Sequence, residues 1–174
     1  RNCLFFKNFS ASSSLGGAVY CIRQGLTGAL EFYNCTIVSN YGGGIYVRAW
    51  GAGQNYNPSI YIYNCVIQSN YTFNVSATPA PGLTNIISHS CWYPTNGVNP
   101  ALLEISSINP PARFVNFAGE DFRLSPDSPC LNAGTNQDWM ADYTDLDGHK
   151  RIRYGTVDVG AYEMIKDATV YRFR

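Results

Sequence analysis

Hydrophobic and polar residues alternate in short runs along residues 1–96. Leu30 and Phe32 alternate with less apolar neighbours, and Cys35 and Ile37 resume the same phase after a polar corner. Residues 60–67 repeat this pattern. Because successive side chains of a strand point to opposite faces, the alternation predicts short β-strands with one buried face.

A motif recurs four times along these runs. An Asn or Ser precedes a Cys, and an Asn follows that Cys at an offset of five residues. The copies are Asn2-Cys3 with Asn8, Asn34-Cys35 with Asn40, Asn64-Cys65 with Asn70, and Ser90-Cys91 with Asn96. They lie 32, 30 and 26 residues apart, which is typical of a stacked repeat with loops of variable length.

A third strand follows each of the first two motif copies. Gly-rich bends lead into apolar runs at residues 16–21 and 43–47. Three short strands per copy, with Asn and Gly at the bends, predict one coil of a parallel β-helix. The chain is therefore predicted to be all-β, with coils over residues 1–109 and a last coil and C-terminal cap over residues 110–174.

The motif asparagines suit the corners of such coils. Asn tolerates the left-handed backbone region, and its amide bonds to nearby backbone. Coils stacked at about 4.8 Å would align equivalent amides as ladders. The predicted ladders are Asn2, Asn34 and Asn64 at one corner, and Asn8, Asn40, Asn70 and Asn96 at the other. The alternative is that these are ordinary polar loop residues.

The motif cysteines share one predicted inward position. These are Cys3, Cys35, Cys65 and Cys91, while Cys21 aligns with Val47 on the third strand. Neighbouring coils bring the Cα atoms within the range that permits a disulfide. Cys is also a small residue that is commonly buried, so a stack of buried thiols is favoured over disulfides. No CxxC pair is present, and zinc is not expected.

Charge narrows the function classes. The formal net charge is zero, which argues against a nucleic-acid partner because such a partner needs a basic face. Before residue 100 the only acid is Glu31, whereas hydrolysis of a glycosidic bond ordinarily needs two carboxylates. No segment is long and apolar enough to span a membrane.

Residues 121–163 carry a second pattern. It reads Asp121-Phe-Arg-Leu-Ser-Pro-Asp-Ser-Pro-Cys-Leu-Asn-Ala-Gly134, then Asp145-Leu-Asp-Gly148, Arg151 and Val157-Asp-Val-Gly-Ala-Tyr-Glu163. This pattern resembles the C-terminal end of secreted bacterial right-handed parallel β-helix proteins, where it often precedes a surface-anchoring signal. The resemblance implies a right-handed helix and an extracellular or bacterial cell-surface location. It implies little about activity, because the same ending occurs on lyase-like and adhesin-like chains.

The residues of this pattern also predict a cap. Ser128-Pro129 and Ala133-Gly134 are turn residues, and residues 157–161 alternate as one more strand. Such a segment is expected to close the open hydrophobic end of the solenoid, where unpaired strand edges would invite aggregation. The opposite end, Arg1 to Asn8, is expected to pack against another copy or against upstream coils of a longer chain.

The sequence contains three candidate sites. The first is a loop that offers oxygen ligands to calcium from Asp142, Asp145 and Asp147, next to Gly148. The alternative is an ordinary Asp-rich turn, which is common without a metal. No other cofactor is predicted.

Aromatic residues form the second candidate. An aromatic platform for sugar rings is predicted from Trp50, Tyr56, Tyr61 and Tyr63, with Tyr33 on the preceding coil. The alternative is that these residues pack under the neighbouring loops.

An apolar stripe is the third candidate. Alternation places Leu4, Phe6, Val38, Val66 and Trp92 on the outward side of the second strand of each coil. An exposed stripe of this kind indicates a contact surface, and the alternative is that a loop covers it.

These features favour an extracellular structural or adhesive module that contacts polysaccharide or assembles with copies of itself. The alternative function is a fragment of a polysaccharide lyase or glycoside hydrolase whose catalytic coils are missing. Lyase chemistry needs a basic proton abstractor, and Arg23 and Arg48 are the only bases well inside the coils.

Overall fold

The computed structural model describes residues 1–12, 15–23, 28–49, 59–77, 84–93 and 102–165. Within these ranges the regular structure is almost entirely β, and the one helical element is a 3-10 helix at Asp138–Asp142. The strands are β1 Leu4–Phe6, β2 Val19–Arg23, β3 Ala29–Tyr33, β4 Thr36–Val38, β5 Ile45–Ala49, β6 Ser59–Tyr63, β7 Val66–Gln68, β8 Val75–Ala77, β9 Asn85–Ser88, β10 Cys91–Tyr93, β11 Leu102–Ile105, β12 Phe114–Asn116 and β13 Asp121–Leu124.

Three parallel sheets form from successive motif copies, each of which we call a rung. The first sheet has the order β1-β4-β7-β10, the second β2-β5-β8, and the third β3-β6-β9-β11. Equivalent residues pair directly, as Phe5 with Ile37 and Ile37 with Ile67. The all-β class and the parallel pairing of copies are confirmed, and the arrangement is compatible with a β-helix-like solenoid. Strands β12 and β13 pair antiparallel outside these sheets.

One face of each sheet contributes to a common core. Side chains at equivalent positions of successive rungs form columns there, as Val19, Ile45 and Val75 do in the second sheet. The predicted alignment of Cys21 with Val47 is confirmed. Branched aliphatic residues dominate the buried columns, which suits β-branched side chains packed on a pleated surface.

The two corners of a rung use asparagine differently. At the first corner Asn2, Asn34 and Asn64 have φ between 50° and 53°, so the backbone turns in the left-handed region that Asn tolerates. At the second corner the left-handed residue is the one before the Asn, as at Ser39 and Ser69. The asparagine that follows contributes hydrogen bonds from its side-chain amide instead of a left-handed backbone conformation.

Side-chain amides link the second corners in one direction. Asn40 Oδ1 accepts the backbone N–H of Asn8 at 3.0 Å and its Nδ2 at 2.8 Å. Asn70 Oδ1 accepts the same two groups of Asn40 at 3.1 and 2.8 Å. Asn70 Nδ2 then donates to Asn74 Oδ1 at 3.0 Å. We call this set the amide ladder; Asn96, predicted to belong to it, lies outside the described residues.

First-corner amides turn mainly toward the C-terminal segment. Asn64 Nδ2 donates to Thr135 O at 2.9 Å, whereas its contact with Asn34 Oδ1 is 3.5 Å long. Asn2 Nδ2 donates to Thr144 O at 2.8 Å. These asparagines therefore join the rungs to a segment that is distant in sequence.

The motif cysteines do not all share one position. Cys3, Cys35 and Cys65 line up inside, and the thiols of Cys35 and Cys65 donate to backbone carbonyls within their own rungs. Cys91 pairs with Val66 instead of Cys65. The prediction for Cys91 is wrong because a one-residue shift in register moves a side chain to the other face. All six cysteines are free thiols.

The same shift moves Trp92. It pairs with Ile67 and packs into the core, so its predicted outward position is wrong. Ser90 takes the position opposite Cys65 that was predicted for Cys91. Its Oγ accepts the N–H of Cys65 at 3.0 Å.

The C-terminal segment, residues 110–165, lies along the outer face of the first sheet. Phe122, Leu124 and Val159 pack there on Val38 and Val66. At the first rung, the Phe6 and Phe122 rings have centroids 4.8 Å apart. The apolar stripe is thus covered within the chain, and its interpretation as an exposed contact surface is wrong. The segment also differs from the predicted end cap, because it covers a side of the rungs.

Close backbone approach holds this segment in place. Gly160 N donates to Asn64 O at 2.8 Å, and Ala161 N donates to Thr36 Oγ1 at 3.0 Å. Gly160 has a φ of 113°, and a Cβ there would lie 3.0 Å from Thr36 Oγ1. Only glycine fits this contact without strain.

Across the described ranges, no helix combines the length and apolar character needed to cross a membrane.

Replacing Asn40 by Ala is expected to destabilise the protein by about 1–3 kcal/mol, because partners of its amide would stay buried without a hydrogen bond. The free energy of unfolding in urea measures this loss. Asn8→Ala is the matched control, since Asn8 is exposed at the end of the ladder and should cost less. Equal losses from the two changes would contradict the ladder as the source of stability.

Candidate functional site

Tyrosines occupy the outer face of the third sheet. Tyr33 and Tyr63 pair across β3 and β6, and their rings stack with centroids 5.4 Å apart and planes 7° apart. Tyr61 pairs with Glu31 two residues away, on the same face. Burial and the nearby Glu31 carboxylate raise the pKa of Tyr33. We call Tyr33, Tyr61 and Tyr63 the tyrosine face; Trp50 and Tyr56, predicted with them, lie outside the described residues.

The C-terminal segment adds aromatic residues that the sequence did not indicate. The Trp139 ring meets Tyr33 edge-on at 6.2 Å, and Tyr143 meets Trp139 at 5.5 Å. The Arg1 guanidinium lies 4.6 Å from the Trp139 centroid. Trp139 lies on the 3-10 helix, more than a hundred positions from Tyr33, and no local pattern connects them.

A second aromatic row lies beside the amide ladder. The rings of Phe9, Tyr41 and Tyr71 stack with centroids 5.1 and 4.6 Å apart. They are 72%, 44% and 70% exposed. Ser39 and Ser69 line a cleft of about 190 Å³ against the two tyrosines. We call these three rings the corner row.

The sequence contained a signal for the corner row. Each ring follows a ladder asparagine directly, in the pairs Asn8-Phe9, Asn40-Tyr41 and Asn70-Tyr71. Because those asparagines stack at successive second corners, the next residue must stack as well.

The predicted calcium ligands come together only in part. Asp145, Asp147 and His149 place one ligand atom each within 4.8 Å of one another, and Asp142 is not in this group. Asp145 Oδ1 accepts the backbone N–H of Asp147 at 2.9 Å and of His149 at 2.8 Å. Asp145 Oδ2 accepts the N–H of Glu163 at 2.7 Å. This carboxylate already organises the loop.

Asp147 is engaged as well. Its two oxygens accept Nε and Nη2 of Arg123, both at 2.7 Å, in a bidentate pair. The carboxylates of Asp147 and Asp121 raise the pKa of Arg123 further above its ordinary value. A cation would have to displace this arginine to bind Asp147. Calcium at Asp142, Asp145 and Asp147 stays a prediction.

A buried Arg–Glu pair lies beneath this loop. Arg151 is 0% exposed, and its Nη2 donates to Glu163 Oε1 at 3.0 Å and to Gly160 O at 3.0 Å. Glu163 also accepts the N–H of Asp158 at 3.1 Å. Burial lowers the pKa of Arg151 and raises the pKa of Glu163 to about 8.

Asp158 completes this arrangement. Its Oδ1 accepts the N–H of Asn132 at 2.6 Å, and its Oδ2 accepts the N–H of Met164 at 2.7 Å. The Asp, Arg and Glu residues of the pattern in residues 121–163 thus bond largely to backbone groups and to one another. Their chemistry holds the loops of the C-terminal segment closed.

A cavity of about 280 Å³ opens beside the Arg151–Glu163 pair. Val115, Pro126 and Ile165 give it apolar walls, and Arg123 and His149 line its polar side. Arg123 and His149 belong to the hydrogen-bond network that closes the Asp145 loop. We therefore assign these two side chains a structural role.

Comparison with protein-family models, with curated proteins and with solved structures finds no match to this chain.

The raised pKa of Glu163 predicts that stability falls as pH rises. An unfolded Glu titrates near 4.5, whereas Glu163 in the folded chain titrates near 8. Between these values the folded state binds the extra proton, so the free energy of unfolding should decrease by up to about 4 kcal/mol from pH 5 to pH 8. Urea titrations at both pH values measure the decrease.

Glu163→Gln should flatten this dependence. Asp142→Asn, at an exposed position on the 3-10 helix, is the control and should keep the wild-type slope. A wild-type slope that is unchanged in Glu163→Gln would show that other groups cause it.

Proposed function

We propose that this chain is a right-handed parallel β-helix module with a structural or adhesive role outside the cell or at the bacterial cell surface. The three parallel sheets with in-register rungs support the helix. The resemblance of residues 121–163 supports the handedness and the location.

The proposed ligand is polysaccharide, and the aromatic rows carry this proposal. Tyr33 and Tyr63 stack along the direction in which rungs repeat, and so do Tyr41 and Tyr71. Each tyrosine combines an apolar ring with a hydroxyl group, which complements the C–H surfaces and hydroxyls of a sugar. Rungs repeat at about 4.8 Å, a spacing comparable to the length of one sugar ring. A linear polysaccharide along the rungs would therefore meet equivalent groups at each step.

The lining of the corner row favours a neutral ligand. Its cleft is bounded by serine and tyrosine hydroxyls and by an asparagine, with no charged side chain among the described residues that line it. Lys7 lies at one end of the row, but it forms an ion pair with Glu120.

The alternative is a lyase or hydrolase fragment whose catalytic coils lie elsewhere. Hydrolysis requires two carboxylates on opposite sides of the bond. On the tyrosine face, Glu31 has Tyr61 and Tyr33 as its neighbours. Binding without cleavage suits this surface better. Partners in the proposed role are polysaccharide and other copies of the chain or upstream coils.

Tyr63→Ala and Tyr71→Ala each remove one row's contact and are expected to weaken polysaccharide binding by about threefold to tenfold. Retardation of the purified chain in gels that contain neutral polysaccharides measures binding. The two variants distinguish the tyrosine face from the corner row.

Tyr154→Ala is the matched control for these variants. Tyr154 is 45% exposed in the C-terminal segment and belongs to neither row. It should bind like the wild type. No retardation of the folded wild-type chain by any neutral polysaccharide would refute the proposed ligand.

The purified chain is expected to release no products from uronate polymers or neutral glycans, because its rungs lack paired carboxylates. Reducing-sugar and ultraviolet assays for unsaturated products test this. Product formation that disappears in Arg48→Ala would establish the enzyme alternative.

A further inference from the structure

Two cysteines meet where the C-terminal segment lies on the first sheet. Cys91 begins β10 and pairs with Val66, whose side chain belongs to the covered outer face. Cys130 belongs to the segment that covers this face. Both cysteines are 0% exposed and pack in the same apolar cluster. A side-chain hydrogen bond between the two thiols joins the sheet and the segment at this point.

Backbone contacts hold Cys130 beside Cys91. Cys130 O accepts the N–H of Val159 at 2.9 Å. The next residue, Gly160, lies so close to the first sheet that a Cβ there would be 3.1 Å from Val66 Cγ2. Because Val66 is the direct partner of Cys91, these contacts bring Cys130 to the same part of the sheet.

A second set of hydrogen bonds leads to the same pair. Cys91 Sγ donates to Pro110 O at 3.2 Å. Two residues later, Ala112 O accepts the hydroxyl of Ser128, and this hydroxyl oxygen accepts the N–H of Cys130 at 3.1 Å. Both cysteines are thus bonded to the chain where it enters the C-terminal segment.

The inward cysteines have a different geometry. Cys35 and Cys65 precede Thr36 and Val66, which pair in register on parallel strands. Equivalent Cβ atoms of such strands lie about 4.8 Å apart, whereas a disulfide needs about 3.5–4.5 Å. Cys65 Sγ also accepts the backbone N–H of Cys35 at 3.4 Å. The strand spacing does not restrict Cys91 and Cys130, because their side chains come from two opposing surfaces.

We propose that Cys91 and Cys130 form a cross-linking site, at which oxidation joins the first sheet to the segment that covers it. One cysteine thiolate attacks a small-molecule disulfide such as oxidised glutathione, which forms a mixed disulfide and releases one thiol. The second cysteine attacks the protein sulfur of this mixed disulfide and releases the second thiol. The protein thiols lose two electrons and two protons, and the small disulfide becomes two thiols.

Burial determines when this reaction occurs. The hydrogen bond with the Cys91 thiol and burial raise the pKa of Cys130, so the folded chain holds its thiol instead of the reactive thiolate. The cross-link therefore forms while the chain folds, before the C-terminal segment closes over the sheet. The oxidising environment rests on the proposed extracellular location, and the cross-link itself is independent of the polysaccharide ligand.

Refolding of the full chain with reduced and oxidised glutathione tests the site. Peptide mapping without reduction should recover Cys91 joined to Cys130, and the intact chain should lose the mass of two hydrogen atoms. The link closes a loop of about 40 residues and should raise Tm by roughly 5–15 °C over the reduced chain. Hydrogen exchange at the backbone N–H groups of Gly160 and Ala161 should slow, because the segment is held on the sheet.

Two variants separate the link from packing. Cys130→Ala should have the same Tm after oxidising and after reducing refolding, and a comparison within one variant cancels any loss of packing. Cys21→Ala is the matched control, because it changes a partly buried thiol of the second sheet. It should keep the full difference in Tm.

Three results would overturn the proposal. The chain keeps six free thiols after oxidising refolding, or mapping joins Cys35 to Cys65 instead. The third is a difference in Tm that persists in Cys130→Ala. Absence of polysaccharide binding would leave all of these measurements unchanged, so the two proposals fail separately.

Discussion

In-register pairing of successive rungs is the constraint on which this structure depends. A parallel ladder fixes which residues are neighbours, so a side chain at one position meets its counterpart from the next rung. Apolar counterparts form the core columns, and Asn40 and Asn70 form a ladder that satisfies buried amides. A polar group in this ladder is stable only because the next rung carries the same group in the same place.

The outer side of the first sheet shows how the chain completes its burial. Leu4, Phe6 and Val38 point away from the core, and a repeat of rungs alone would leave them in water. The C-terminal segment covers them, and the Arg151–Glu163 pair and Asp158 hold its loops in shape. The charged residues that the sequence concentrates after residue 100 therefore bond largely within the C-terminal segment.

We assign contact to two outer surfaces with aromatic rows, the tyrosine face and the corner row. Their rings stack because register places them one above another, and the geometry needed for a repeating ligand comes from the same pairing that builds the core. Phe9 and Tyr71 end the corner row and are the most exposed of its three rings. In-register pairing of rungs thus accounts both for the stability of the core and for the stacked rings to which we assign polysaccharide contact.

The sequence by itself determined the strands, the corners and the parallel pairing of copies, because alternation and the Asn–Cys spacing are local patterns. Only the tertiary structure decided the sides of Cys91 and Trp92, since one residue of register reverses a strand's faces and the motif spacing does not specify it. It alone placed Trp139 beside Tyr33 and laid residues 110–165 over the first sheet. Those contacts join residues far apart in the chain, and their free energy comes from apolar burial, which no short-range pattern encodes.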